Sequence, residues 1–311
     1  MKYCFNVYST ILNSLISCYT VRVIMGDVRN VQAMLRSYPT IEGAGVSLKR
    51  AFGFSEVPDI DPFLLLDDFH SDNPDDYILG FPWHPHRGIE TVTYMIRGEV
   101  KHGDSMGNKG LINSGDIQWM TAGGGIIHQE MPQRVSGTMQ GFQLWVNLPA
   151  SHKMMKPRYR GIAKDQVLEI IDAEGVRIRL IAGALNNVIG PVRDLVVDIE
   201  YLDVRIPANR KFNHSVRKGH NAFAYVFGGK GFFDAKTNNQ AESEHLVVFG
   251  DGDEVEIRAD KKPLRFLLVS GKPIGEPVAW RGPIVMNTQK ELDIAFEEYQ
   301  NGTFIKENRL R

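Results

Sequence analysis

Gly80-Phe81-Pro82-Trp83-His84-Pro85-His86-Arg87-Gly88-Ile89-Glu90 and, further on, Gly125-Ile126-Ile127-His128-Gln129-Glu130-Met131-Pro132 decide how this chain is to be read. Side chains of a strand alternate between its two faces, so His84 and His86 point the same way, as do His128 and Glu130. Two such pairs on two strands can meet at one point. Three imidazoles and a carboxylate suit a divalent first-row transition metal, whereas magnesium and calcium sites are built from oxygen. The runs Thr91–Tyr94 and Ile117–Met120 are apolar or β-branched and bury well. Unpaired polar side chains buried among them would cost several kcal/mol per group, a penalty that a metal removes. A single strand histidine is more often a surface or hydrogen-bonded core residue, so the pattern, rather than any one member, carries the reading.

Working outward, the chain has 311 residues, 43% hydrophobic and 23% charged, a composition that folds and that fits two domains by length. A formal net charge of −1 gives no basic field for phosphates, which argues against direct nucleic-acid binding. The two cysteines, Cys4 and Cys18, have no redox or metal-ligating partner at useful spacing, in keeping with a reducing cytoplasm. Residues 1–24 form a mildly apolar run broken by Asn6, Ser9, Thr10, Asn13 and Ser14, too polar for a membrane span or a signal-peptide core. We read them as an extension outside the fold, in preference to an export signal, with Met25 a cleaner start.

From Val28 onward, short Val/Ile/Phe/Tyr-rich runs separated by Gly, Asn, Asp and Pro predict strands at 61–68, 91–96, 99–104, 116–121, 139–147, 176–182 and 195–206. Helical periodicity is nearly absent there. The expected fold class is therefore all-β, an antiparallel sandwich or barrel whose mouth can hold a ligand. Pro149–Arg160 reads as a crossover between an N-terminal unit at 25–150 and a C-terminal one at 151–311. The two resemble each other. Setting Gly98 on Gly228 places His84 on His214 and Glu90 on His220, and setting Gly115-Asp116 on Gly252-Asp253 places His128 on Arg265 and Glu130 on Leu267. The second unit then repeats the fold without the metal. Near the end, Leu292, Ala295, Phe296 and Tyr299 at i, i+3, i+4 and i+7, followed by Gly302, predict an amphipathic helix over Thr288–Asn301 that packs outside a sheet.

The stretch Gly80–Gly98 is similar to the first cupin motif and Gly115–His128 to the second. The segments Trp83-His84-Pro85-His86-Arg87-Gly88, Gln118-Trp119-Met120-Thr121-Ala122-Gly123, His128-Gln129-Glu130-Met131-Pro132, Gln143-Leu144-Trp145-Val146-Asn147-Leu148-Pro149 and Glu276-Pro277 more specifically resemble pirin. That resemblance runs from about Met25 to the helix near Gln300. It implies two tandem cupin barrels, of the double-stranded β-helix or jelly-roll kind, with metal in the N-terminal one only. It implies the ligands His84, His86, His128 and Glu130, with Fe(II) the favoured metal and zinc, manganese, nickel, cobalt or copper as alternatives. In cupins generally the carboxylate ligand sits where Glu90 stands; the pirin pattern instead makes Glu90 a support or a structural residue.

Four protein ligands on six-coordinate iron leave two positions open, the form of a catalytic site. The resemblance implies a quercetin 2,3-dioxygenase activity on a flavonol and dioxygen, with Glu130 both ligand and proton acceptor, in a cytoplasmic monomer without a membrane partner. Phe81, Trp83, Met95 and Trp119 are expected to line the site. The competing expectation is a regulator of transcription-cofactor type that binds other proteins according to the state of its metal. A sugar-isomerase-like or storage cupin is the weaker third reading.

Overall fold

The computed structural model describes residues 27–53, 60–234 and 239–306, so the reading of residues 1–24 falls outside the described residues. No helix among these residues is long and apolar enough to cross a membrane. The chain is mostly strand, and the sheets come as two matched sets.

In the N-terminal set a seven-stranded sheet runs, edge to edge, through 158–162, 117–121, 89–97, 139–147, 63–71, 46–52 and 38–42; it faces a four-stranded sheet of 81–86, 126–132, 99–104 and 109–113. The C-terminal set repeats the plan. Its seven strands run 31–36, 245–249, 221–228, 264–271, 199–206, 177–182 and 168–171, and its four run 211–215, 254–259, 230–232 and 240–242. All named strand pairings in these sheets are antiparallel, so each set is a two-sheet barrel of cupin type. The predicted strands appear, Glu99–Asp104 and Met139–Asn147 with the bounds expected of them.

The barrels exchange edge strands across the 150/151 division. Val31–Arg36 pairs with His245–Phe249 in the second barrel, and Arg158–Ile162 pairs with Ile117–Thr121 in the first. Between the two seven-stranded sheets lies a core drawn from both halves, with Phe52, Tyr94 and Phe142 packed among Tyr201, Phe223 and Leu267. Phe52 meets Phe223 edge-on with ring centroids 5.2 Å apart, a geometry that adds to the burial of both rings. A second core fills the C-terminal barrel, where Leu202, Phe212, Phe233 and Phe266 take the space between its sheets.

This arrangement corrects part of the internal alignment. The strand that occupies the place of His128 and Glu130 in the second barrel is Glu254–Ala259, and His128 pairs with His84 as Val255 pairs with His214. His128 and Glu130 therefore correspond to Val255 and Ile257, not to Arg265 and Leu267. Gly252-Asp253 resembles Gly115-Asp116 in type but stands one strand later in the barrel, which slipped the second anchor.

The C-terminal helix spans Gln289–Gln300, capped at Thr288 by the reciprocal pair Thr288–Glu291. Leu292 and Ala295 are buried on its inner face. With the hairpin Ala279–Arg281 and Ile284–Met286 it packs back on the N-terminal barrel, where Ile284, Met286, Leu292 and Phe304 form a small core with Ile127. The end of the chain thus returns to the strands that carry His86 and His128.

Candidate metal centre and its cavity

Strands Phe81–His86 and Ile126–Pro132 are neighbours in the four-stranded sheet, with His84 directly opposite His128. Alternation sends His84, His86 and His128 into the barrel. Their ring nitrogens lie within 4.8 Å of one another. His84 Nε2 is 3.1 Å from His86 Nε2 and 2.9 Å from His128 Nε2.

The tautomers of two of these rings follow from their other nitrogens. His84 Nδ1–H donates to the Pro82 carbonyl at 2.8 Å, and His86 Nδ1–H donates to the Pro283 carbonyl at 3.1 Å. A carbonyl only accepts, so each Nδ1 carries a proton, and the two Nε2 atoms face each other. Burial, then the neighbouring imidazoles, pushes His86 and His128 well below the ordinary histidine range, so neither is a cation that would hold the cluster together. Lone pairs at these distances repel unless a cation lies among them. The donor set fits a divalent transition metal.

Glu130 is buried on the same strand face as His128 but stands outside that 4.8 Å cluster. Its Oε1 accepts from the Thr93 hydroxyl at 2.8 Å and its Oε2 from Gln143 Nε2 at 3.4 Å. The Thr93 oxygen is also 2.7 Å from Gln143 Oε1, so the three side chains form one polar patch beside the histidines.

Glu90 is elsewhere. It is fully buried, accepting from the Thr121 hydroxyl at 2.5 Å and from Arg160 Nη2 at 3.1 Å, on the side of its strand facing away from the barrel interior. Between His86 and Glu90 the chain turns at Gly88, which takes φ +78°, and passes into a different strand. Glu90 is an ion-pair partner in the wall and is not part of the three-histidine cluster.

His84 and His86 line a cavity of about 710 Å³, together with Phe81, Thr93, Glu130, Gln143, Trp145 and Trp280 among others. Of the four side chains expected to line it, Phe81 does. Trp83 points outward and is 52% exposed, while Met95 and Trp119 are buried in cores on either side of the sheet, Trp119 facing the second barrel. Trp145 supplies the missing aromatic wall, its ring edge-on to His86 at 5.1 Å and 5.9 Å from Trp280. Gln143 and Trp145 lay in a quoted motif and share a strand face, a signal that was available; Trp280 comes from the far end of the chain and gave none.

His102 was also missed. It lies opposite Glu130 in the next strand, stacks on Tyr159 at 4.9 Å, and its ring centroid is 5.6 Å from that of His128. Its Nε2–H donates to Asp104 Oδ2 at 3.3 Å. Burial works against the charge on Asp104, but hydrogen bonds from His102 and Asn108 outweigh it and hold that carboxyl below its usual range.

In the second barrel His214 bonds Glu200 at 2.5 Å and His220 lies 3.5 Å from Asp198, beside a cavity of about 470 Å³. His128's place is taken there by Val255, and among the described residues the three-histidine cluster of the first barrel has no counterpart.

Both barrels match a known family. The Pirin model matches residues 45–146 and the Pirin C-terminal cupin domain matches residues 201–305. The chain belongs to the pirin family. It is 44% identical over 278 residues to a pirin-like protein of Caulobacter vibrioides, covering 89% of this chain and 99% of that one. A pirin-like protein of Solanum lycopersicum is 40% identical over 262 residues, covering 84% of this chain and 88% of its own. Among solved structures, a quercetin 2,3-dioxygenase from Acinetobacter baumannii superposes with a TM-score of 0.82 at 31% identity, covering 89% of this pirin and 98% of that chain. The two barrels are thus those of the two pirin domains.

Proposed function

We propose that this pirin is an iron-dependent dioxygenase of the quercetin 2,3-dioxygenase type, acting on a flavonol with dioxygen. The observation that carries the reading is the convergence of three imidazoles beside a cavity whose lining includes Phe81, Trp145 and Trp280. Its volume of about 710 Å³ falls within the range of small-molecule sites. Similarity to the Acinetobacter enzyme supports the same reading.

His84, His86 and His128 would hold the metal, with Glu130 the fourth ligand. Iron(II) bound there would supply open positions for the substrate oxygens and for dioxygen. The chain's own groups do the rest. Phe81, Trp145 and Trp280 offer flat apolar faces for a planar ring system. Glu130 lies where it can accept the flavonol hydroxyl proton, and Thr93 and Gln143, bonded to its two oxygens, orient the carboxylate for that step. Trp280, Arg281 and Pro283 bring the C-terminal hairpin into the cavity lining. The same reading places the protein in the cytoplasm, in keeping with a chain of only two cysteines.

The test is loss of flavonol absorbance under air with iron-loaded protein, against the metal-free form and His84→Ala. Turnover confined to the loaded wild type is expected. Equal rates in all three would end the enzymatic reading in favour of a regulator that binds other proteins.

A further inference from the structure

The geometry points to Arg87 as a positioning residue that ties the two ligand strands to the C-terminal segment, so that docking of that segment and metal affinity are one coupled property. This rests on the reading of the three histidines as a metal site, but not on any substrate.

Arg87 is 1% exposed and follows His86 directly. Each branch of its guanidinium ends on a different part of the chain. Nε donates to the Gly124 carbonyl at 2.8 Å, four residues before His128. Nη1 donates to Glu298 Oε2 at 2.7 Å on the C-terminal helix, and Nη2 to the Phe304 carbonyl at 2.8 Å beyond it. The guanidinium carbon lies 4.2 Å from the centre of the Phe304 ring. A rigid planar fork of this kind fixes the relative positions of the groups it bonds, which a flexible ammonium does not.

The backbone repeats the connection. The Arg87 carbonyl accepts from Val285 N–H at 3.0 Å, and the adjoining Pro283 carbonyl holds His86 Nδ1. The contact is close: a Cβ placed on Gly88 would come within 1.9 Å of the Val285 carbonyl. The buried Lys153 ammonium spans the same seam, donating to the Gly88 carbonyl at 3.0 Å, Asn147 Oδ1 at 2.7 Å and the Val285 carbonyl at 3.2 Å.

Burying a guanidinium against a single carboxylate is costly, and apolar packing would hold a helix to a barrel at less expense. What apolar packing would not do is fix the Gly124 lead-in to His128, the backbone of His86 and the acceptor of the His86 Nδ1 proton in one frame. A ligand ring held at its other nitrogen keeps its orientation, and loss of such support weakens metal binding by about 10- to 100-fold in known sites. Coupling of this sort is reciprocal, so bound metal must also tighten the C-terminal segment.

Cobalt(II) titrated into the metal-free full chain, with a competing chelator, reads affinity and the visible ligand-field spectrum together. Arg87→Met should bind cobalt about 10- to 100-fold more weakly, with a shifted spectrum, and Arg87→Lys should recover only part of the loss. Glu298→Gln should give a smaller loss in the same direction, and Glu297→Gln, an exposed neighbour, none. A purely structural Arg87 would lower the melting temperature and leave the affinity and spectrum of the folded protein at wild-type values; that result overturns the inference. If Arg87→Met does not fold, Glu298→Gln decides alone, and wild-type affinity there is the refuting outcome. Wild-type protein that takes up no cobalt would remove the metal reading as well, whereas cobalt binding without flavonol turnover would leave this inference intact.

Discussion

Tyr94 of the first barrel donates its hydroxyl to Asp203 of the second at 2.7 Å, and the arrangement is returned: Tyr225 of the second donates to Asp68 of the first at 2.9 Å. The two tyrosines hold the same place in their sheets, as do the two aspartates, so the pair is a pseudo-two-fold lock across the shared core. The environments differ. Asp203 also receives two hydrogen bonds from Arg265, at 3.0 and 2.7 Å, while Asp68 keeps one oxygen without a partner. Removing the hydroxyl should therefore cost more at Tyr225→Phe, about 1–3 kcal/mol, than at Tyr94→Phe, about 1 kcal/mol. Urea unfolding of the two variants checks this, and equal costs would contradict it.

Asp68 gives the interface a pH dependence. Burial pushes its carboxyl up to about 7, with the Tyr225 hydroxyl and Lys49 pulling it down and Glu244 and Asp67 pushing it further up. The unfolded chain releases that proton near the ordinary carboxyl value of about 3.9. Between the two values the native state binds more protons than the unfolded one, so this residue's contribution to stability falls as pH rises from about 4 to about 7. Asp68→Asn, which keeps an acceptor for Tyr225, should remove that slope, a difference of about 3–4 kcal/mol between the ends of the window. Denaturation midpoints of both proteins across that range are the measurement, and parallel profiles would rule the assignment out.

The sequence showed the strands and the helix because their periods are local, and the paired histidines because i and i+2 share a strand face. It could not say by alternation which way Glu90 faces, because alternation holds only within one strand and the turn at Arg87–Gly88 begins another. It slipped the internal repeat because glycine-acidic turns recur at several corners of a barrel, and only strand pairing tells one corner from the next. Pro283, 197 positions from His86, and Trp280 could not be seen at all; their roles come from the return of the chain end to the first barrel.

Metal should bind once per chain, in the first barrel. His86→Ala and His128→Ala each remove one of three converging nitrogens and should abolish binding, whereas His214→Ala should leave stoichiometry unchanged, since Val255 stands where a second ligand would be. Metal analysis after dialysis against trace chelator measures this. A fall in metal content in the His214 variant would place a ligand in the second barrel and refute the assignment.

Glu130 and Glu90 separate two ways of completing the site. Glu130 shares a face with His128 and lies in the cavity wall beside His84 and His86, its oxygens held by Thr93 and Gln143. Glu90 is committed to Thr121 and Arg160 on the other side of its strand. Glu130→Gln should therefore weaken metal binding strongly, because an amide oxygen lacks the charge that offsets a dication, and should leave the fold largely intact, since a glutamine can still bond Thr93. Glu90→Gln should do the reverse: metal affinity near wild type, with a loss of stability of about 1–3 kcal/mol from a half-buried guanidinium that has lost its charged partner. Thermal unfolding and chelator competition on both variants give the two readouts. A Glu90 variant that unfolds normally but no longer binds metal would return the carboxylate ligand to the general cupin position and take Glu130 out of the site.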